Sequence, residues 1–120
     1  MASVTNLTRG TIIDIDLEPT QGAENGKIRP CVIVTNNIYN ARVPVIQVVP
    51  ITAWSERKAR IVTNVELPAS QNSGLTKRSV ADCLQTRPVD HRFRLVKIRG
   101  RLPESIMRQI DQALRIVFDL

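Results

Sequence analysis

Ile13, Ile15 and Leu17 alternate with Asp14, Asp16 and Glu18, the period-two pattern of a half-buried strand, and Arg9-Gly10 marks its entry turn. Pro19 to Gly26 then collects turn-forming residues and predicts a loop, which Lys27 to Arg29 closes. Pro30 to Thr35 is a continuous apolar run that predicts a central strand, and Asn36, Asn37 and Asn40 predict a turn after it. Val43 to Ile51 returns as a strand whose prolines, Pro44 and Pro50, belong at an edge or bend. Thr52 to Arg60 reads as a polar, basic loop, and the alternation of Ile61, Thr63, Val65 and Leu67 predicts another strand. After a turn-rich connection over 68–74, Ser79 to Leu84 and Phe93 to Gly100 read as strands, with Arg87 to Asp90 a turn or short helical kink between them. Pro103 and Glu104 open a helix, and Ile106, Ile110, Ala113, Leu114 and Val117 give it one apolar face. The pattern predicts five to seven short strands and a terminal helix, a mostly β, barrel-like α+β domain.

The length of 120 residues suits a single domain over 1–120, and 42% hydrophobic residues suffice for one core. Charge adds more. The chain carries a net +6, but residues 1–26 are acidic, and residues 87–101 hold six bases against one acid. Such a run is either a solvated strand face or a surface for phosphate backbone. The single histidine, His91, excludes a paired-histidine mechanism within one chain and reads as a surface residue. Cys31 and Cys83 have no metal-ligand spacing and read as buried, reduced thiols, with no metal and no cofactor implied. Four aromatics argue against a surface that reads nucleic acid mainly by stacking. With no N-terminal apolar segment and no run of 18 apolar residues, a cytoplasmic protein without membrane contact is expected.

The order of motifs resembles the MazF/PemK (Kid-like) toxins of bacterial type II toxin–antitoxin modules. Arg9-Gly10 and Leu17-Glu18-Pro19-Thr20-Gln21-Gly22 are similar to that family's opening, and Glu24 with Lys27-Ile28-Arg29-Pro30 to its next motif. Asn36 to Asn40, Val49-Pro50-Ile51-Thr52, Gly74-Leu75 with Ser79-Val80, and Gln85-Thr86-Arg87-Pro88-Val89-Asp90 continue the resemblance in order, over about residues 9–118. The resemblance implies an SH3-like barrel of the CcdB/Kid/MazF type with a C-terminal helix. It also implies a homodimer, a cognate antitoxin, and metal-independent, sequence-specific cleavage of single-stranded RNA. The products would be a 2′,3′-cyclic phosphate and a 5′-hydroxyl.

RNA carries its own nucleophile, the 2′-hydroxyl, so the enzyme must take that proton, stabilise the phosphorane and protonate the leaving oxygen. By resemblance the catalytic candidates are Arg29, Thr52 and Glu24. Arg29 suits the phosphorane because its guanidinium stays charged and binds two oxygens at once; read structurally, it is a surface arginine paired with Glu24. Thr52 can donate to a phosphate oxygen or cap a strand end, and Glu24 can act as general base or orient Arg29. Gln85, Arg87, Asn36, Asn40, Lys27 and Arg57, with the rest of the loop from Trp54 to Arg60, are the candidate RNA contacts.

The chain departs from the family pattern at Ala23, where some members have His or Ser, at Asn25, and at Leu84, where many carry an acid. Asp82 would face the same side of a strand as Leu84 and is the candidate substitute. Two other functions are compatible with the fold: a CcdB-like gyrase-poisoning interaction protein and a non-catalytic RNA-binding relative. The C-terminal Ile116-Val117-Phe118-Asp119-Leu120 lacks the Trp-Gly-Ile tail of the first. Arg29 and Thr52 together argue against the second.

Overall fold

The computed structural model describes residues 7–120. Seven antiparallel strands are arranged around β3 (Val45–Ala53), the longest of them. On one side β3 pairs with β2 (Ile28–Ile33), β2 with β1 (Thr11–Asp16), and β1 with the edge strand β7 (Leu95–Arg101). On the other side β3 has two partners in succession. Val45 to Val48 pair with β6 (Arg87–Asp90), and Ile51 to Ala53 pair with β5 (Ser79–Asp82), which pairs in turn with β4 (Asn64–Leu67). Val49 and Pro50 fall between those partners. A proline is therefore tolerated in the middle of this strand, where the pairing changes, and not only at its ends.

The change of partner splits the apolar residues into two cores. Ile13, Ile15 and Leu17 of the first strand region meet Cys31, Ile33, Ile46, Val48 and Val89 inside the curl formed by β6, β3, β2, β1 and β7. Ile12, Val32, Val49 and Ile51 point the other way, toward Val65, Leu67 and the terminal helix α4 (Glu104–Phe118). Ile106, Met107, Ile110 and Ala113 are the helix residues buried there, and the predicted stripe holds with Met107 added. The mostly β α+β barrel with a C-terminal helix is the fold that the sequence pattern predicts. β1 is covered on both faces, contrary to the half-buried expectation. Asp14 is only 7% exposed, and Arg99 Nε of β7 donates to its Oδ1 at 2.6 Å.

Several boundaries differ from the sequence reading. Arg87 to Asp90 is the strand β6 rather than a turn, because its alternate residue Val89 fills the barrel core opposite Ile46. A helical turn α3 (His91–Arg94), capped by Asp90, follows it, so β7 begins at Leu95 and not at Phe93. The strand expected over 61–67 is confined to β4, since the residues before it form a turn in which the Asn64 N–H donates to the Ile61 carbonyl at 3.0 Å. β5 ends at Asp82, and Cys83–Gln85 forms a 3-10 turn. The expected loop over 52–60 contains the last two residues of β3 and a helical turn α2 (Glu56–Ala59). Asn37–Asn40 likewise forms the helical turn α1.

Both cysteines are free and buried, and burial pushes each thiol up to about 12. No helix among the described residues is long and apolar enough to cross a membrane.

Candidate RNA-cleavage site

The β1–β2 loop is closed at its base by the Leu17 N–H donating to the Lys27 carbonyl at 2.9 Å. The Lys27 N–H donates to Glu18 Oε2 at 2.6 Å, and Lys27 sits at φ 65, an αL conformation at the tightest point of the return. Gly26 beside it cannot carry a side chain without a shift, since a Cβ would lie 2.5 Å from Thr20 Oγ1 and 2.6 Å from Glu18 Oε2. Its carbonyl accepts from Arg29 Nε at 2.9 Å. Arg29 is thus aligned by the loop's own main chain. The ion pair with Glu24 expected from spacing is not formed; Glu24 Oε1 accepts instead from the Gln21 N–H at 2.8 Å within the loop. Glu24 is exposed and Arg29 half-buried.

Thr52 lies near the end of β3, opposite Val80, and is only 8% exposed. Its Oγ1 accepts from Lys58 Nζ at 3.2 Å. Lys58 reaches back from α2, which Ser55 caps by accepting the Lys58 N–H at 3.1 Å. Thr52, Arg57, Lys58 and Asp82 line a cleft of about 270 Å³. Glu24, Arg87 and Pro88 line a second, larger one of about 690 Å³. Asn25, Leu84 and Gln85 belong to the walls of both, so the two clefts adjoin.

Gln85 joins the β1–β2 loop to the rest of the barrel. Its Oε1 accepts the Asn25 N–H at 2.6 Å, and its Nε2 donates to the Ala23 carbonyl at 3.2 Å. Arg87 anchors the base of the same loop, its Nη1 donating to the Leu17 carbonyl at 3.1 Å. Arg29 lines neither cleft; its Nε bond to the Gly26 carbonyl keeps it at the base of the loop. Asp82 and Leu84 both line the smaller cleft, but not through strand alternation, because the 3-10 turn intervenes. Asp82 Oδ2 accepts from Asn25 Nδ2 at 3.4 Å, whereas Leu84 is 65% exposed and projects between the clefts.

The remaining candidates do not join this group. Asn36 accepts the Ile38 N–H at 2.8 Å as the cap of α1, and Asn40 Nδ2 donates to the Thr35 carbonyl at 2.8 Å. Both lie beyond the far end of β2, which covers about 13 Å from Arg29 to Ile33 alone. His91 donates its N–H to the Pro44 carbonyl at 3.1 Å, at the end of β3 remote from Thr52. Trp54 has one ring face covered by the Arg78 guanidinium, 3.9 Å from its centroid. Arg78 also donates to Glu66, holding that carboxyl below its usual range. Lys58 enters the sequence reading only as part of the loop from Trp54 to Arg60, and its bond to Thr52 is what sequence reasoning missed. The available signal was Ser55 three positions earlier, the spacing of a side chain that caps a helical turn.

Residues 8–118 match the family described as PemK-like, MazF-like toxin of type II toxin-antitoxin system. The chain is 35% identical over 108 residues, 90% of each protein, to Endoribonuclease EndoA of Bacillus subtilis. Its fold superposes on MazF from Deinococcus radiodurans with a TM-score of 0.80 at 20% identity, covering 94% of this chain and 96% of that one. An endoribonuclease from Mycobacterial species, solved in complex with its cognate antitoxin, matches with a TM-score of 0.75 at 20% identity over 94% and 95% of the two chains. With the family match running through both the β1–β2 loop and the terminal helix, the chain belongs to the PemK-like, MazF-like toxins of type II toxin–antitoxin systems.

Proposed function

We propose that this toxin is an endoribonuclease that cuts single-stranded RNA through attack of the RNA's own 2′-hydroxyl. The observation that carries the reading is the junction of the two clefts, where the loop bearing Glu24 meets the cleft lined by Thr52, Lys58 and Arg57. In this reading Glu24 takes the 2′-hydroxyl proton. Arg29 and Thr52 stabilise the phosphorane as the bond from the 2′-oxygen to phosphorus forms and the bond to the 5′-oxygen breaks. The 5′-oxygen leaves as a hydroxyl, protonated from solvent, and the phosphate is left as a 2′,3′-cyclic ester. Arg29 suits its role because Gly26 holds its Nε while the terminal nitrogens extend beyond that bond. Cationic side chains supply the charge neutralisation, so cleavage in EDTA is expected.

The partners follow from the same reading. A small cognate antitoxin is inferred from the family. A homodimer is supported by apolar side chains on α3 and the edge strand β7, where Phe93, Val96 and Ile98 are 81%, 52% and 47% exposed. Light scattering tests it, with a concentration-independent monomer mass as the contrary result.

Incubating the purified chain in EDTA with a long single-stranded RNA and mapping the ends tests the activity. Discrete fragments with 5′-hydroxyl ends are expected. Arg29→Ala and Thr52→Ala should each lower the rate by about 10²–10³ while remaining folded, the usual loss on removing one transition-state donor. Normal turnover by folded Arg29→Ala would remove Arg29 from the chemistry.

A further inference from the structure

We propose that Lys58 is a positioning residue for cleavage, acting through Thr52. Its ammonium fixes the Thr52 hydroxyl as an acceptor, so that the hydroxyl proton is presented to the scissile phosphate. The inference rests on the reading of Thr52 as a phosphate contact.

A threonine hydroxyl has one proton and two lone pairs, and a neutral partner could take either end of the bond. An ammonium can only donate. With Lys58 Nζ at 3.2 Å from Oγ1, Thr52 must accept, and its single proton is left for another acceptor. The arrangement is held from both ends. Thr52 is β-branched, nearly buried and paired with Val80 of β5, so its side chain has little rotational freedom. Lys58 makes a second donation to the Ala53 carbonyl at 3.2 Å. Its own main chain is fixed by Ser55 Oγ at 3.1 Å and by Asn64 Nδ2, which donates to the Lys58 carbonyl at 3.0 Å.

A charged donor also polarises the O–H it binds and strengthens it as a donor in turn. Among the described residues no carboxylate forms an ion pair with Lys58, so its charge is not cancelled by a direct partner. Arg57, one residue earlier, lines the same cleft but makes no bond to Thr52. The two adjacent cations therefore have separable roles, and only Lys58 acts through the hydroxyl.

The test is a double-mutant cycle on the full chain with wild type, Lys58→Met, Thr52→Ala and the combined variant. Each is assayed on single-stranded RNA carrying the mapped cleavage site, with thermal unfolding as the control for folding. Lys58→Met is expected to lower kcat by about ten- to a hundredfold, as loss of an orienting partner does, while KM changes by less than about threefold. In the Thr52→Ala background the same substitution is expected to cost nothing further. Lys58→Arg, still a donor-only cation, should recover part of the rate. An equal loss in both backgrounds, or a change confined to KM, would show that Lys58 acts on the RNA without Thr52 and overturn the proposal. Unchanged turnover by Lys58→Met beside an inactive Thr52→Ala would overturn it while leaving the site reading intact. Normal turnover by Thr52→Ala would remove both.

Discussion

The side-chain amide of Gln85 brackets Glu24, bonding to the main chain of the residue on each side of it, Ala23 and Asn25. Sixty residues separate Gln85 from Asn25, so this clasp fixes a loop that local sequence alone would leave free. One N–H and one oxygen lone pair of that amide remain for other partners, but with each polar end tied to main chain the arrangement favours holding the loop over reading a base. Gln85→Ala should therefore lower the cleavage rate by about tenfold or more without changing the cleavage sequence. Gln85→Glu, which keeps the acceptor for Asn25 and loses the donor to Ala23, should fall between. End mapping and hydrogen exchange over residues 23–25 check both points. An altered cleavage sequence at full rate would return Gln85 to base reading.

RNA affinity should divide the cationic and amide candidates. Arg57 lines the smaller cleft, so under the proposed reading its loss removes one phosphate contact, whereas Asn36 caps α1. Titrating a 2′-O-methyl RNA, which cannot be cleaved, at several salt concentrations separates them. Arg57→Ala should reduce the slope of log K against log salt by about 0.7, the single-strand value per phosphate. Asn36→Ala should leave slope and affinity unchanged while lowering stability by about 0.5–2 kcal/mol through the lost cap. A flattened slope in the Asn36 variant would place α1 on the RNA path.

The strands that pack a whole face were legible in the sequence because burial imposes alternation, as in Ile13, Ile15 and Leu17. The terminal helix was legible for the same reason, from Ile106, Ile110 and Ala113. Arg87 to Asp90 was not, because a four-residue strand with one buried side chain, Val89, has no period to detect. Its pairing is decided by β3, some forty residues earlier. The site divides along similar lines. Arg29, Thr52 and Glu24 could be named from motif order, the Lys58 bond to Thr52 six residues away depends on the local turn α2, and the Gln85 clasp arises only when distant elements meet. The β1–β2 loop, the 3-10 turn and α2 converge at the clefts, and no periodicity records that meeting.

The charge beneath β1 should be costly to expose. Asp14 is bonded by Arg99 Nε at 2.6 Å, and Arg99 Nη1 also donates to the Gly74 carbonyl at 2.9 Å. Removing the cation leaves a nearly buried carboxylate without its partner. Arg99→Ala should destabilise the protein by about 3–5 kcal/mol. Asp14→Asn, which retains an acceptor oxygen, should cost less. Urea unfolding of the two variants gives the comparison, and a loss below about 1 kcal/mol for Arg99→Ala, the size of an exposed pair, would show that this pair contributes little.

The two buried thiols give the fold a dependence on alkaline pH that can be isolated by difference. Each is raised by burial from an ordinary value near 9.0 to about 12, so between those limits the folded chain holds protons that the unfolded chain releases. Stability from this source is fully present below pH 9 and is lost as pH rises toward 12. The slope is at most about 1.4 kcal/mol per pH unit for each thiol. The informative quantity is the wild-type stability minus that of Cys31→Ala or Cys83→Ala, followed from pH 8 upward. That difference should shrink as the pH rises, because the alanine variants have no thiol proton to lose. Below pH 9 neither thiol should react with iodoacetamide until the protein unfolds, since both are fully enclosed and protonated. A pH-independent difference together with rapid alkylation of the folded chain would mean that the thiols are accessible to solvent.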